Sequence, residues 1–143
     1  MELRYFLDTD IFIQSFDQSD PEKKKRADAL IGAALVNHVG IISSHVISEF
    51  LQWSLHKFPV PLQYRDARDY LEQVLLPLQD VTPDPDYFRT ALSYQERLRC
   101  PMGDALVLAG AHKGKCRVVY STRFKPGLVI SSVVCKNPFS MSS

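Results

Sequence analysis

The chain is short of several features that would settle its class at once. It has three cysteines, Cys100, Cys116 and Cys135, and no Cys-x-x-Cys spacing. An odd, scattered set argues against a metal or redox role and leaves buried, reduced thiols as the expectation. No apolar run approaches the roughly 20 residues of a membrane helix. The first residues enter a strand pattern with no signal-peptide pattern before it, so the expectation is a cytoplasmic protein with no membrane partner. No Gly-x-Gly-x-x-Gly follows the first apolar run, so a nicotinamide dinucleotide is not expected. Repeats, long linkers and low-complexity tracts are missing. The formal net charge is only +1, so bulk charge does not point to nucleic acid and only a local patch could.

What is present fits an ordinary globular chain. Hydrophobic residues make up 45% and charged residues 23%, a balance that excludes disorder. A length of 143 residues suits one domain with one core. That domain is expected over residues 1–139, with residues 140–143 as a frayed tail. Leu3 to Leu7 reads as a short strand. Asp20-Pro21 starts a helix with Ala27, Leu30, Ile31, Ala34 and Leu35 on one face, and Gly40 is its expected stop. Ile41 to Ser43 is a second strand, followed by a helix capped by Ser44. Further helices are expected from about Leu62 to Leu76, after Pro83-Asp84-Pro85, and from Met102 to Lys113. Asp80-Val81-Thr82 is an edge-strand candidate. Arg117 to Ser121, Val129-Ile130 and Val133-Val134 are late strands. This alternation predicts an α/β fold, a central mostly parallel sheet flanked by helices.

Three acids stand at the ends of separate apolar runs. Asp8 follows Tyr5-Phe6-Leu7, Glu49 lies on the helix after Ile41-Ile42-Ser43, and Asp104 opens Ala105-Leu106-Val107-Leu108-Ala109. A lone Asp in such a place is usually a helix cap. Strand ends of one polarity, however, share a crevice in an open parallel sheet. Carboxylates gathered there can hold a hard cation such as Mg²⁺ or Mn²⁺.

Four segments carry a resemblance to a known family. They are Phe6-Leu7-Asp8-Thr9-Asp10-Ile11-Phe12-Ile13, Ile42-Ser43-Ser44-His45-Val46-Ile47-Ser48-Glu49-Phe50, Gly103-Asp104-Ala105-Leu106-Val107-Leu108-Ala109-Gly110-Ala111, and Val118-Val119-Tyr120-Ser121 with Asn137-Pro138-Phe139. In order and spacing the chain resembles PIN-domain proteins, most of all the VapC-type toxin ribonucleases. The resemblance implies a Rossmann-like layout and metal-dependent cleavage of RNA. It also implies a toxin role with a small antitoxin as partner, and a homodimer. Asp8, Glu49 and Asp104 match the first three acidic positions of the family and are the expected catalytic and metal-binding residues, with Mg or Mn as the ion. Thr9, Asp10, Ser121 and Arg123 are the expected supporting residues.

The departures bear on the chemistry. Where the family's fourth strand ends in Ser-Glu-Asp, this chain reads Ser121-Thr122-Arg123. A guanidinium replaces the fourth carboxylate. It could fork onto a substrate phosphate, or it could pair with the acids and block the metal. The second possibility leaves a degenerate PIN-like protein that binds RNA or a protein partner. The family's Asn after Asp-Thr is Asp10 here, which restores one carboxylate. Its Trp before the third acid is Gly103, with Pro101 close by, so a shifted or looser helix start is expected. His45, where the family tends to have Gln, shares a helix face with Glu49. Asp8-Thr9-Asp10 is also similar to the nucleophile loop of HAD-type phosphatases, but Phe12 stands where that family wants Thr or Val and the late acidic pair is missing. Lys23-Lys24-Lys25-Arg26 reads as a solvated helix face, while Lys113, Lys115, Arg117, Arg123 and Lys125 are the better candidates for phosphate contact.

Overall fold

The computed structural model describes residues 3–140; of the expected tail over residues 140–143, residues 141–143 lie outside them. A six-stranded sheet has the order β3-β2-β1-β4-β6-β5, built from β1 (Tyr5–Leu7), β2 (Gly40–Ser43), β3 (Gln79–Val81), β4 (Val118–Tyr120), β5 (Val129–Ile130) and β6 (Val133–Lys136). The pairs β2–β3, β1–β2, β1–β4 and β4–β6 are parallel, and only the β5–β6 edge hairpin is antiparallel. The chain builds outward from β1 through β2 to β3, then returns to the other side of β1 to form β4. The reversal falls between β1 and β4, the place where an open α/β sheet leaves a crevice at its strand ends.

The helices are α1 (Thr9–Gln14), α2 (Pro21–Asn37), α3 (Ser44–His56), α4 (Tyr64–Tyr70), α5 (Leu76–Leu78), α6 (Pro85–Leu98) and α7 (Met102–Lys113). Asp20 caps α2 and Asp84 caps α6, each followed by Pro in the first turn, because Pro has no N–H to lose there. A π-helical turn over Leu71–Leu75 joins α4 to α5. Pro77 explains it: the ring would press on the carbonyl of Gln73 in a regular α-turn, and the wider turn relieves that clash. Phe6, Ile42, Val119 and Leu108 are fully buried in the core where β1, β2, β4 and α7 meet.

Three local expectations are corrected, and one helix is added. The strand starts at Tyr5 rather than Leu3. Helix α2 ends at His38, which adopts the left-handed conformation at φ 62°, and Gly40 opens β2 instead of stopping the helix. Ser43, not Ser44, caps α3, its hydroxyl accepting from Val46 N at 3.3 Å. Helix α1 follows Asp8 directly, in a stretch where the apolar run masks a short helix. The cysteines are free, with Cys116 and Cys135 buried and Cys100 half-buried.

Gly40 is required by space. A Cβ there would lie 2.5 Å from the Tyr5 ring and 2.6 Å from Ala34 Cβ. Gly40→Ala is expected to cost about 1–3 kcal/mol by overpacking. Gly32→Ala, on the exposed face of α2 with nothing within 4 Å, is expected to gain roughly 0.5–1 kcal/mol from helix propensity. Urea unfolding of the two variants checks both signs.

Candidate functional site

The crevice at the carboxyl ends of β1 and β4 gathers the acids. Asp8 ends β1 and continues the ladder, its N–H donating to Tyr120 O at 3.1 Å. Its side chain is fully buried and caps α1, Oδ1 accepting from Thr9 N at 2.6 Å. Ser121, at the end of β4, donates its hydroxyl to Asp8 Oδ2 at 2.7 Å. Thr9 Oγ1 donates to Glu49 Oε1 at 2.5 Å, which ties α1 to α3. Asp104 sits in the first turn of α7, whose cap position is Pro101 with no side-chain cap bond, so Asp104 is free of a capping duty.

Arg123 closes the set. Its Nε lies 2.9 Å from Asp8 Oδ2, its Nη2 2.7 Å from Glu49 Oε1 and its Nη1 2.9 Å from Asp104 Oδ1. One planar fork therefore joins three elements of the fold. Asp10 stands beside them and accepts from both the N–H and the hydroxyl of Thr122 through Oδ2. Its Oδ1 is buried with no partner. Thr122 has no role in the sequence reading; a hydroxyl directly after Ser121 is the one signal for it. His45 is within 3.8 Å of Glu49 through Nε2, and that nitrogen is buried without a hydrogen-bond partner.

One guanidinium does not balance four carboxylates. Burial pushes the Asp8 carboxyl up to about 7, with the charge of Asp10 adding to it, against the opposing pull of Arg123, Ser121 and Thr9. Burial raises Asp10 as well. At Glu49 burial is outweighed by the bonds from Thr9 and Arg123, and its carboxyl is lowered. Arg123 is held charged: burial opposes this, and Asp8, Asp104 and Glu49 overcome it. Burial lowers His45, so its imidazole is neutral at neutral pH.

Other expected cations stand elsewhere. Lys113 pairs with Asp84, and Arg117 N donates to Arg4 O at the amino end of the sheet, so neither makes the expected phosphate contact at the acids. Lys24 pairs with Asp28 at 3.0 Å on the solvated face of α2.

The residues fit a hard divalent cation in donor type and in charge. The unpartnered Asp10 oxygen is a buried acceptor left open beside the other acids. Among the described residues no three acids form a cage ready for a cation, since Arg123 takes one oxygen from each of three.

The PIN domain family model matches residues 5–123, from the first residue of β1 to Arg123. Several solved structures share the fold. A toxin–antitoxin complex from Klebsiella pneumoniae is similar at TM-score 0.67 and 16% identity, over 96% of this chain and 99% of that one. VapBC2 from Rickettsia felis, bound to a DNA fragment from its promoter, is similar at TM-score 0.63 and 17% identity, over 94% and 98%. VapC20 of Mycobacterium tuberculosis, a sarcin-ricin loop cleaving toxin, is similar at TM-score 0.63 and 19% identity, over 82% and 88%. No curated protein matches the chain at a significant level.

The state of Asp8 sets a pH dependence. Folded, Asp8 keeps its proton up to about 7, whereas the ordinary value is 3.8. The native state thus binds more protons across that window, and stability declines as pH rises from about 4 to about 7. In metal-free buffer Asp8→Asn is expected to remove this decline and to raise stability at neutral pH by on the order of a few kcal/mol, read by thermal unfolding at several pH values.

Proposed function

The chain belongs to the PIN domain family, and from that premise we propose that it is an endoribonuclease that hydrolyses RNA phosphodiester bonds, with Asp8, Glu49 and Asp104 as the catalytic carboxylates. The convergence of these three side chains on one point at the sheet's switch crevice carries the reading. No Ser–His or Cys–His pair stands among these residues to offer covalent catalysis instead. Asp8, Glu49 and Asp104 would hold Mg²⁺ or Mn²⁺, which would supply an activated water and offset charge on the phosphate. Thr9 fixes the spacing of Asp8 and Glu49, and Ser121 holds Asp8 Oδ2 in place. Asp10 and Thr122 anchor the end of β4. Arg123, once off the acids, is a fork suited to the phosphate oxygens. The likeness to toxin–antitoxin complexes supports a toxin role with a small antitoxin partner. The homodimer rests on family resemblance alone.

A second reading has its own observation. Arg123 occupies the very point where the carboxylates meet, as expected of a degenerate PIN domain that binds RNA or a protein without cutting. The two readings part on a variant. In a degenerate protein Arg123→Asp restores a fourth acid and strengthens Mn²⁺ binding by about tenfold or more, ~1.4 kcal/mol, and raises any nuclease activity. In an active enzyme that uses Arg123 on phosphate, the same change weakens RNA binding and slows cutting. Calorimetric Mn²⁺ titration beside a cleavage assay separates them.

The ribonuclease reading itself is tested with single-stranded and structured RNAs. Cutting is expected only with Mg²⁺ or Mn²⁺, and Asp8→Asn or Asp104→Asn is expected to reduce it to the uncatalysed level while the protein stays folded. Cutting that persists in excess chelator, or in either variant, overturns the reading.

A further inference from the structure

A cavity of about 230 Å³ opens beside the acids, between the start of α3, the turn after β3, the start of α6 and α7. It meets the candidate site at His45. Ser48 of α3 and Leu106 of α7 line it as well. His45 borders both, its Nε2 lying 3.8 Å from Glu49 Oε1. A strand with a phosphate at the acids therefore has a neighbouring group within reach of this cavity.

The lining suits a flat heterocycle. Phe88 is 47% exposed, and it meets Tyr87 edge to face with centroids 5.1 Å apart. Tyr87 gives only its ring, because its hydroxyl donates to Leu106 O at 3.2 Å. Pro83 adds an apolar edge. Polar groups are few. The Ser44 hydroxyl is occupied by Gln79 and Val81 O, which leaves the Ser48 hydroxyl for an edge of the ligand. The volume is below the roughly 300–1,000 Å³ of sites for drug-sized ligands, so it holds a single ring system. Proteins that read single-stranded RNA splay bases out, stack them on aromatic rings and bond their edges.

We propose that this cavity is a base-binding subsite, taking one unstacked nucleobase next to the phosphate at Asp8, Glu49 and Asp104. The inference rests on the RNA reading above and adds to it a source of sequence preference. Phe88 is the stacking face, and Ser48 reads the edge.

The fluorescent nucleoside 2-aminopurine riboside tests the subsite without any metal or cleavage. The whole protein is expected to quench its emission in a saturable way. Phe88→Ala is expected to weaken that binding about fivefold to a hundredfold, the usual effect of losing one stacking partner, and Phe88→Tyr to retain it. No saturable quenching by the wild type, or equal quenching by Phe88→Ala, overturns the subsite whatever happens to RNA. Loss of cutting on every RNA with quenching intact sinks the ribonuclease reading instead. Where RNA is cut, sequencing the cut ends of a randomised strand is expected to show a base preference at one flanking position. That preference flattens in Phe88→Ala with Mn²⁺ affinity unaltered; a preference unchanged by Phe88→Ala also overturns the subsite.

Discussion

The site depends on one fixed positive charge placed among four carboxylates. A buried, unpaired carboxylate costs several kcal/mol even after relaxation, and Asp8 has no exposed surface at all. Arg123 makes that placement tolerable, and it does so with geometry as well as charge. Its Nε, Nη1 and Nη2 each face a different acid. A lysine could not do this, because a single ammonium at the end of a flexible stem does not present a planar fork. Arg123 thus holds the end of β1, the middle of α3 and the first turn of α7 at fixed separation.

The reach of Arg123 follows from topology. Strands β1 and β4 are neighbours, in register from Tyr5 with Val118 to Leu7 with Tyr120. The three residues after β4 then land beside the three residues after β1. Ser121 donates to Asp8, Thr122 donates to Asp10, and Arg123 spans the rest. Helix α1 is short, yet it fixes Thr9 and Asp10 relative to Asp8. The aromatic packing of Phe12 and Phe16 of this region against Phe50 of α3 keeps that helix from shifting. Packing in the core and charge in the crevice are therefore set by the same few residues.

Much of this was legible from residue order. The α/β alternation, the parallel sheet and the Met102–Lys113 helix follow from periodicity, Pro placement and β-branched content, signals that act locally. The PIN resemblance was legible because four segments recur in order. What was not legible depended on contacts distant in sequence. Gly40 looked like a helix stop, but its need is the Tyr5 ring in the next strand. Ser43 and Ser44 are equivalent caps on paper, and the end of β2 decides between them. Lys113 and Arg117 looked like phosphate ligands because a sequence does not show which end of the sheet a side chain serves. The cavity beside Phe88 is made by four elements meeting, which no pattern along the chain encodes.

The imbalance of charge has a consequence for the order of binding on the proposed reading. A guanidinium carries +1 into a crevice of four acids, a shortfall that adds, through the charge of Asp10, to the burial that raises the Asp8 carboxyl. A divalent ion answers the shortfall better but needs the oxygens that Arg123 holds. A phosphate answers the opposite need, offering Arg123 a partner outside the acids. Each ligand thus favours the arrangement with Arg123 off the carboxylates. Two ligands that favour the same state bind with positive coupling, equal in both directions. Metal binding and substrate recognition then become one equilibrium, with a single side chain as the element both of them move.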